Sequence, residues 1–307
     1  MSNKIQHSGS ILTSANGFDI IDCIQCGFKH INPIPTEEEL EHIYKHEYYV
    51  KDKPDYIEKD FQDKEWWEMT YNHRFEVFES HLSVERRKLL DIGSGPGLFL
   101  ETGNQRNWIT EGVEPNDKAA EHCIKRGLDV KNIMYNSETS TMMKKFDVVN
   151  LSLVLEHIAN PTEMINQVYN QLTDGGLVCI VVPNDYNPFQ VVLKDHLGFK
   201  PWWVSPPHHI NYFNFDSLSN LLERCGFEVV HKESTFPIDL FLLMGDNYID
   251  NNELGRVCHN KRVKFEMAMK LSGSGHILDE FYSGLSKMNI GREVVIYAIK
   301  NGKESLQ

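Results

Sequence analysis

The chain has 307 residues, a formal net charge of −13 and 41% hydrophobic residues. This length is enough for one large domain with appendages, and the negative charge argues against a nucleic-acid partner, because proteins bind phosphate backbones through clustered Lys and Arg. No stretch approaches the roughly 18 consecutive apolar residues of a membrane span, and the start MSNKIQHSGS lacks the apolar region of a signal peptide. We therefore expect a cytoplasmic protein that acts on a small molecule.

The N-terminal segment contains one pair of cysteines with the spacing of metal ligands. Cys23 and Cys26 form a C-x-x-C motif. A structural zinc site needs four ligands, but no second C-x-x-C motif lies upstream, so His7 or His30 would have to complete the set. We therefore expect residues 1–83 to form an extension without a metal, and we do not expect zinc at Cys23 and Cys26.

Aromatic residues are frequent in the rest of this extension. Tyr44, Tyr48 and Tyr49 precede a charged, aromatic region at 61–82 that has helical character. The tyrosines are expected either to pack within the extension or to form part of a lid over a binding site. The extension should end near Ser83, where a strand pattern begins.

Residues 88–97, KLLDIGSGPG, predict a buried parallel strand that runs into a glycine-rich turn. Asp91 lies near the end of the strand, and Gly93, Gly95 and Gly97 follow at alternate positions. Glycine lets the backbone turn sharply and lets a ligand approach the main chain closely. The helix expected to follow offers free N–H groups and the positive end of its dipole. This loop therefore predicts a binding site for a nucleotide-type cofactor.

A second strand is predicted at 109–115, ITEGVEP, with Glu114 near its end. A carboxylate in this place accepts hydrogen bonds from ribose hydroxyls in more than one cofactor class. The glycine spacing separates the classes better, since the dinucleotide fingerprint is G-x-G-x-x-G and Leu98 occupies its last glycine position. An NAD-dependent oxidoreductase is therefore disfavoured.

Two further segments continue the alternation of strands and helices. Residues 146–161, FDVVNLSLVLEHIANP, predict a buried strand ending near Leu151, a Glu156–His157 pair and a helix opened by a proline. Residues 173–185, TDGGLVCIVVPND, predict a double-glycine turn that feeds a fifth strand.

The last third of the chain predicts the remaining elements of the sheet. Residues 206–230 contain an H-x-x-x-F stretch, a helix, a G-F turn and a sixth strand, and residues 291–301 predict the last strand. The interval 234–290 is too long for a hairpin loop and has helical spacing of apolar residues. We expect a helical insertion over the carboxyl ends of the strands; the alternative is that these helices only pack or form a homodimer interface.

Taken in order, D-x-G-S-G-P-G, the ribose Glu, F-D-V-V…L-E-H-I…P and D-G-G-x…P resemble the class I S-adenosylmethionine-dependent methyltransferases, near the ubiquinone-biosynthesis type, over residues 88–185. The resemblance implies an α/β fold with a Rossmann-like, doubly wound, seven-stranded sheet whose last strand is antiparallel. It implies an N-terminal extension at 1–83, a core at 84–233, a substrate-side helical insertion at 234–290, and the last strand with a tail at 291–307.

The resemblance also implies the methyl donor, S-adenosyl-L-methionine, with S-adenosyl-L-homocysteine as its product. The Asp91 carboxylate would reach the methionine amino group, Glu114 would hold the ribose, and Pro115 or Asn116 would flank the adenine. The implied cofactor-binding residues are Asp91, Gly93, Ser94, Gly95, Gly97, Glu114, Pro115, Asn136 and Leu151. Asn136 would contact the adenine amino group, and Leu151 would offer its backbone carbonyl near the methionine ammonium.

Three histidines are candidates for the catalytic base. Methyl transfer from a sulfonium is an in-line displacement, so the protein must mainly hold the acceptor against the methyl group and remove its proton. His157 follows the fourth strand, and His208 and His209 follow the fifth. Imidazole suits this role near neutral pH. Alternatively, these side chains only shape the pocket.

The N-terminal extension resembles that of a methyltransferase subgroup with a zinc ribbon, whose members read C-x-x-C-G followed by N-P-x-P. This chain departs from that pattern because the second cysteine pair is missing. The resemblance implies a sugar or nucleotide-linked sugar hydroxyl as the acceptor, in surface polysaccharide or related biosynthesis, with a quinone or another phenol as the alternative. A further alternative is a module that binds S-adenosylmethionine without catalysis.

Overall fold

A computed structural model of the chain describes residues 7–36, 39–40 and 61–301. The strands are β1 (Gly9–Ala15), β2 (Phe18–Cys23), β3 (Lys29–Asn32), β4 (Lys88–Ile92), β5 (Ile109–Val113), β6 (Val130–Lys131), β7 (Phe146–Ser152), β8 (Leu172–Pro183), β9 (Asn211–Tyr212), β10 (Phe227–Ser234) and β11 (Glu293–Lys300). The helices are α1 (Lys64–His81), α2 (Leu98–Gln105), α3 (Asp117–Lys125), α4 (Ser137–Thr141), α5 (Pro161–Gln171), α6 (Pro188–Leu197), α7 (Phe215–Arg224), α8 (Asp239–Leu243), α9 (Asn252–Leu271) and α10 (Gly275–Lys287).

A seven-stranded sheet forms the centre of the molecule, in the order β10-β11-β8-β7-β4-β5-β6. Strands β4 to β8 run parallel, whereas β11 pairs antiparallel with both β8 and β10. The predicted fold class and the position of the last strand are therefore confirmed. One detail differs: the double glycine forms an irregularity inside β8, between the pairs Phe146–Leu172 and Val148–Leu177.

Both faces of the sheet are covered, which explains why its strands read as continuous apolar runs. Leu90, Val149 and Ile180 point to one face, where α5 and α7 pack. Their sequence neighbours point to the other face, where Phe75 of α1 and Phe99 of α2 complete a second core. The parallel strands end at one edge, here called the carboxyl edge, where ligands bind in open α/β sheets.

The N-terminal strands form a separate small sheet, β1-β2-β3-β9, whose last strand comes from the second half of the chain. We call residues 7–32 the ribbon. Phe28 of the ribbon belongs to a core cluster of the large sheet, and the Arg224 side chain donates a hydrogen bond of 2.6 Å to the carbonyl oxygen of Cys26. The ribbon therefore contacts the rest of the molecule through the apolar packing of Phe28, the Arg224 hydrogen bond and the pairing of β3 with β9.

The interval before the last strand folds into α8, α9 and α10, as the helical spacing predicts. Buried contacts link these helices to α1: the Trp66 indole N–H donates to the Glu266 carboxylate at 2.5 Å. The division of the chain into the four predicted segments stays a prediction. Within the part of the chain that the structure describes, we find no helix with both the length and the apolar character that a membrane crossing requires.

Candidate functional site

The glycine-rich loop leaves β4 and turns over the carboxyl edge. The N–H groups of Gly93 and Ser94 donate to the Val113 carbonyl at 2.8 and 3.2 Å, which joins the loop to the end of β5. Gly95 has a φ of +52°, a conformation that favours glycine. A Cβ atom added to Gly95 would meet nothing within 4 Å, whereas one added to Gly93 would lie 2.6 Å from Val154. The backbone at Gly95 is therefore open to a ligand, which fits the predicted cofactor.

Glu114 braces this loop from the end of β5. Its side chain is buried, and its two carboxylate oxygens accept hydrogen bonds from the N–H groups of Gly95 and Asn116, both at 2.8 Å. Burial raises the pKa of Glu114 above its usual value. Each carboxylate oxygen retains a second lone pair. The predicted contact with the ribose is therefore compatible with the bracing role, and it stays a prediction.

Asp91 lies one strand away, where β4 pairs with β7. The Asn150 side chain donates a hydrogen bond of 2.7 Å to its carboxylate. Burial raises the pKa of Asp91 to about 7, although the Asn150 hydrogen bond and the charge of Arg74 oppose the shift. In the same register Ile92 pairs with Leu151. The Asp91 carboxylate and the end of β7 therefore meet at one point, as the methionine contacts require.

We expect cofactor binding to depend on pH through Asp91, the predicted partner of the methionine ammonium. An ammonium group pairs only with an ionised carboxylate, and a group with a pKa of about 7 becomes protonated as the pH falls below that value. We expect the affinity for S-adenosylmethionine, measured by calorimetry, to fall by up to about tenfold per unit below pH ~7. An Asp91→Asn variant and 5′-methylthioadenosine, which lacks the methionine amine, should both lack this dependence. An affinity that does not vary with pH would exclude Asp91 as the partner of the ammonium.

Arg74 is a site residue that the sequence analysis missed. It projects from α1, its side chain is only 3% exposed, and its Nη1 atom lies 3.4 Å from the Ser152 hydroxyl at the end of β7. Among the described residues, no carboxylate lies within ion-pair distance of its guanidinium. The charges of Asp91 and Glu293 interact with this buried guanidinium, and its position at the end of β7 makes it a candidate to bind an anionic ligand group.

A cavity of about 90 Å³ lies on the other side of Arg74, between α1, β10 and the inserted helices. Its walls include the aromatic side chains of Trp66 and Trp67 and the His73–Glu233 pair, in which Nε2 and Oε2 are 2.7 Å apart. Burial opposes protonation of His73, but the Glu233 hydrogen bond and charge keep the pKa of His73 above its usual value. The cavity combines flat aromatic walls with charged groups.

The three predicted catalytic histidines lie together at the carboxyl edge. His157 ends the single 3₁₀ turn Leu155–His157, and its Nδ1 donates a hydrogen bond of 2.7 Å to the backbone carbonyl of His208. The rings of His157 and His209 have centroids 5.1 Å apart and are nearly perpendicular. The structure therefore brings the two predicted segments, after the fourth and fifth strands, into contact.

Two buried carboxylates accompany His209. Asp185, two residues after β8, is 3% exposed, and its Oδ2 lies 3.9 Å from Nδ1 of His209. Glu156 is 2% exposed, and burial raises its pKa to about 7 although the charge of His209 opposes the shift. One donor atom from each of Glu156, His157 and His209 lies within 4.8 Å of the others. The sequence named Glu156 without a role and did not single out Asp185.

For the other predicted site residues, the structure gives a position but no observation that points to a ligand contact. Asn136 is the N-cap of α4, and its side-chain oxygen accepts hydrogen bonds from Glu138 and Thr139 at 3.0 and 2.9 Å. Its contact with adenine stays a prediction. The lid predicted at Tyr44, Tyr48 and Tyr49 lies outside the described residues.

Comparison with known proteins agrees with this arrangement. A family model described as "Methyltransferase domain" matches residues 74–232, more than half of the chain. The match begins at Arg74 and includes the glycine-rich loop, Glu114 and all three histidines.

Curated relatives match a shorter part. A ubiquinone biosynthesis O-methyltransferase of Pseudomonas entomophila is 30% identical over 111 residues, 34% of this chain and 48% of that protein. The corresponding protein of Caulobacter sp. (strain K31) is 29% identical, covering 41% of this chain and 52% of that protein. The chain thus spans about half the length of these relatives.

A solved structure shares the overall fold. The plantazolicin methyltransferase BamL, in a complex with a desmethyl substrate analogue and S-adenosylhomocysteine, is 17% identical, with a TM-score of 0.52 and coverage of 87% of this chain and 97% of that one. At this identity the likeness concerns the fold alone. Together with the family match, it shows that the chain belongs to the methyltransferase domain family and has the Rossmann-like fold of the class I S-adenosylmethionine-dependent methyltransferases.

Proposed function

We propose that the chain transfers a methyl group from S-adenosylmethionine to a hydroxyl group of a small polar molecule, with a sugar or a nucleotide-linked sugar as the first candidate. The observation that carries this proposal is the group formed by the buried carboxylates of Glu156 and Asp185 and the partly buried His209 at the carboxyl edge, beside the strands that would form the cofactor site. An acceptor hydroxyl has to lose a proton, and this group offers acceptors for it.

The donor half of the site is assembled from three strand ends. When bound, S-adenosylmethionine supplies an activated methyl group. The Asp91 carboxylate and the Leu151 carbonyl would hold the methionine ammonium, and Glu114 the ribose. Arg74 would pair with the methionine carboxylate, since its guanidinium is buried and lies beside Ser152. The open backbone at Gly95 would let the cofactor approach the main chain.

The acceptor half of the site has to orient a hydroxyl and take its proton. Because Nδ1 of His209 faces Asp185, we assign Nε2 of His209 as the atom that receives the proton. His157 packs against His209 and limits the orientations of its ring. His209 is then the base, and Asp185 and His157 position it.

A quinone or another phenol is the second candidate acceptor. The curated relatives named above are ubiquinone biosynthesis O-methyltransferases, and Trp66 and Trp67 give the cavity flat aromatic walls. The described lining of this cavity includes none of His157, His208 and His209, so the preference for a hydroxyl-rich acceptor rests on the group at the carboxyl edge. A cytoplasmic location, a homodimer and the absence of a nucleic-acid partner stay predictions.

Mass spectrometry of acceptor panels tests the proposal. Incubation with S-adenosylmethionine and separate pools of sugar nucleotides and phenols is expected to add one methyl group to a sugar nucleotide, with equimolar S-adenosylhomocysteine. Methylation of phenols alone would select the second candidate. Cofactor binding without any methylated product would favour a non-catalytic module, and binding of NAD in place of S-adenosylmethionine would refute the proposal. The Asp91→Asn variant serves as the control for cofactor-dependent signal.

A further inference from the structure

Four potential metal ligands meet inside the ribbon. Cys23 ends β2, Cys26 lies in the turn after it, His30 belongs to β3, and His7 precedes β1. One ligand atom from each of the four lies within 4.8 Å of the others. The sequence shows a single C-x-x-C motif, and the fold adds two imidazoles to it from either side.

The distances match a tetrahedral site. Nδ1 of His7 lies 3.6 Å from Sγ of Cys23 and 3.4 Å from Sγ of Cys26. A tetrahedron with zinc–ligand bonds of about 2.0–2.3 Å has edges of about 3.3–3.8 Å between its ligand atoms. Two of the six ligand–ligand distances therefore already have the length that a zinc site requires, and all four ligand atoms lie within 4.8 Å of one another.

The fourth ligand is oriented by the backbone. His30 is fully buried, and its Nδ1 donates a hydrogen bond of 2.8 Å to the Ile31 carbonyl. This bond leaves the lone pair on Nε2, which is buried and has no hydrogen-bond partner in the described structure. Metal-binding histidines in proteins are commonly held by such a bond from the other ring nitrogen. A metal ion would satisfy the Nε2 atom that the protein leaves unpaired.

We propose that the ribbon binds one zinc ion through His7 Nδ1, Cys23 Sγ, Cys26 Sγ and His30 Nε2. Two thiolates and two imidazoles are a ligand set that suits zinc. Four protein ligands leave no open position, so the ion is structural and takes no part in methyl transfer. This proposal departs from the sequence-based expectation of a metal-free ribbon, which rested on the absence of a second C-x-x-C motif, because the fold brings both His7 and His30 to the cysteine pair.

The proposed zinc site is also connected, through β3 and β9, to the segment that carries His209. Within the pairing of β3 with β9, His30 lies opposite Asn211, and the Ile31 N–H donates to the Ile210 carbonyl at 2.9 Å. Ile210 directly follows His209. A metal-bound ribbon would therefore hold the strand that begins two residues after the proposed base.

A second set of hydrogen bonds continues this connection. The Asn211 side chain donates to the carbonyl oxygens of Leu155 and Ile158 at 3.1 and 2.7 Å, and the Ile210 N–H donates to the Glu156 carbonyl at 2.8 Å. The 3₁₀ turn that carries Glu156 is thus held through β9. We infer that loss of zinc loosens β9 and the turn together.

Metal analysis of the full chain tests the site independently of methyl transfer. Protein produced with added zinc is expected to contain about one equivalent per chain by mass spectrometry. Exchange with Co²⁺ should give the strong d–d bands of a tetrahedral ion and charge-transfer bands from two thiolates. Substoichiometric metal, or a Co²⁺ spectrum without thiolate bands, would overturn the proposal.

Matched variants separate this site from other thiols and imidazoles. Cys26→Ser and His30→Ala are expected to lose the metal, whereas Cys225→Ser and His81→Ala should retain it. His7→Cys should retain zinc and add a thiolate band to the Co²⁺ spectrum, which keeps the test informative if the alanine variants fold poorly. Equal metal content in all variants would place the ion elsewhere. Amide exchange of residues 210–212 should rise on metal removal, and unchanged protection there would refute the connection to β9.

Discussion

Replacing His209 with alanine is expected to lower kcat by about 10²–10⁴-fold, the usual contribution of a general base, while the affinity for S-adenosylmethionine stays unchanged. The reason is geometric: His209 lies beside two buried carboxylates and 3.9 Å from Asp185, and none of these groups belongs to the cofactor half of the site. Single-turnover kinetics with the acceptor found by the panel measures the chemical step.

Two comparisons make this test specific. His208→Ala removes the adjacent imidazole, but it is the His208 backbone carbonyl, which the variant keeps, that accepts the hydrogen bond from His157. We expect its effect on kcat to be at least about tenfold smaller than the effect of His209→Ala. Asp185→Asn should lower kcat, because the Asp185 carboxylate faces Nδ1 of His209 at 3.9 Å and would position the imidazole ring.

The direction in which the rate changes with pH follows from the chemistry of a general base. A base must be deprotonated to act, so kcat/KM for the acceptor, measured at saturating S-adenosylmethionine, should rise with pH, and the neighbouring Glu156, whose pKa burial raises to about 7, should contribute to the profile near that value. His209→Ala should flatten this rise. Full turnover by both histidine variants across about pH 6–9 would show that the pair is structural.

The parts of the fold that the sequence predicts are those encoded by local pattern. The strand KLLDI, the alternate glycines and the Pro161 helix start each depend on neighbouring residues, and the structure has them at β4, the loop and α5. The seven-strand order followed from a resemblance and not from periodicity. Glu114 was named for a ribose contact, but its hydrogen bonds to Gly95 and Asn116 required the folded loop.

The missed residues act across long sequence separations. Arg74 meets Ser152 of β7, and His73 meets Glu233 of β10. In the sequence, Arg74 and His73 read as polar positions on an aromatic helix, because no periodicity distinguishes a buried cation from a solvated one. The sequence analysis does name His7 and His30 as alternatives for completing a metal site, but only the folded ribbon shows that both of them lie at the cysteine pair.

Arg74→Met is expected to weaken binding of S-adenosylhomocysteine by about 1.5–3 kcal/mol, or roughly 10–150-fold, the usual size for a lost hydrogen bond to a charged group. The guanidinium is buried beside Asp91 without an ion-pair partner among the described residues, so the methionine carboxylate is the anion that would complete it. Calorimetry of the two proteins with the same ligand measures the loss.

The ligand 5′-methylthioadenosine separates this role from a structural one. It keeps the adenine and ribose but lacks the amino acid, so Arg74→Met should bind it as tightly as the unmodified chain does. Methionine fills a similar volume, and replacing a buried charge by an apolar group is often neutral or stabilising, so the melting temperature should not fall. Arg74→Lys should restore part of the affinity, since it keeps the charge but not the bidentate geometry. Arg106→Met is the control for damage to α1, because it removes a half-buried ion pair with Glu79, which lies on α1 as Arg74 does. If Arg74→Met loses affinity for both ligands equally, Arg74 acts by positioning α1; if it loses affinity for neither, its anion belongs to the acceptor in the adjoining cavity.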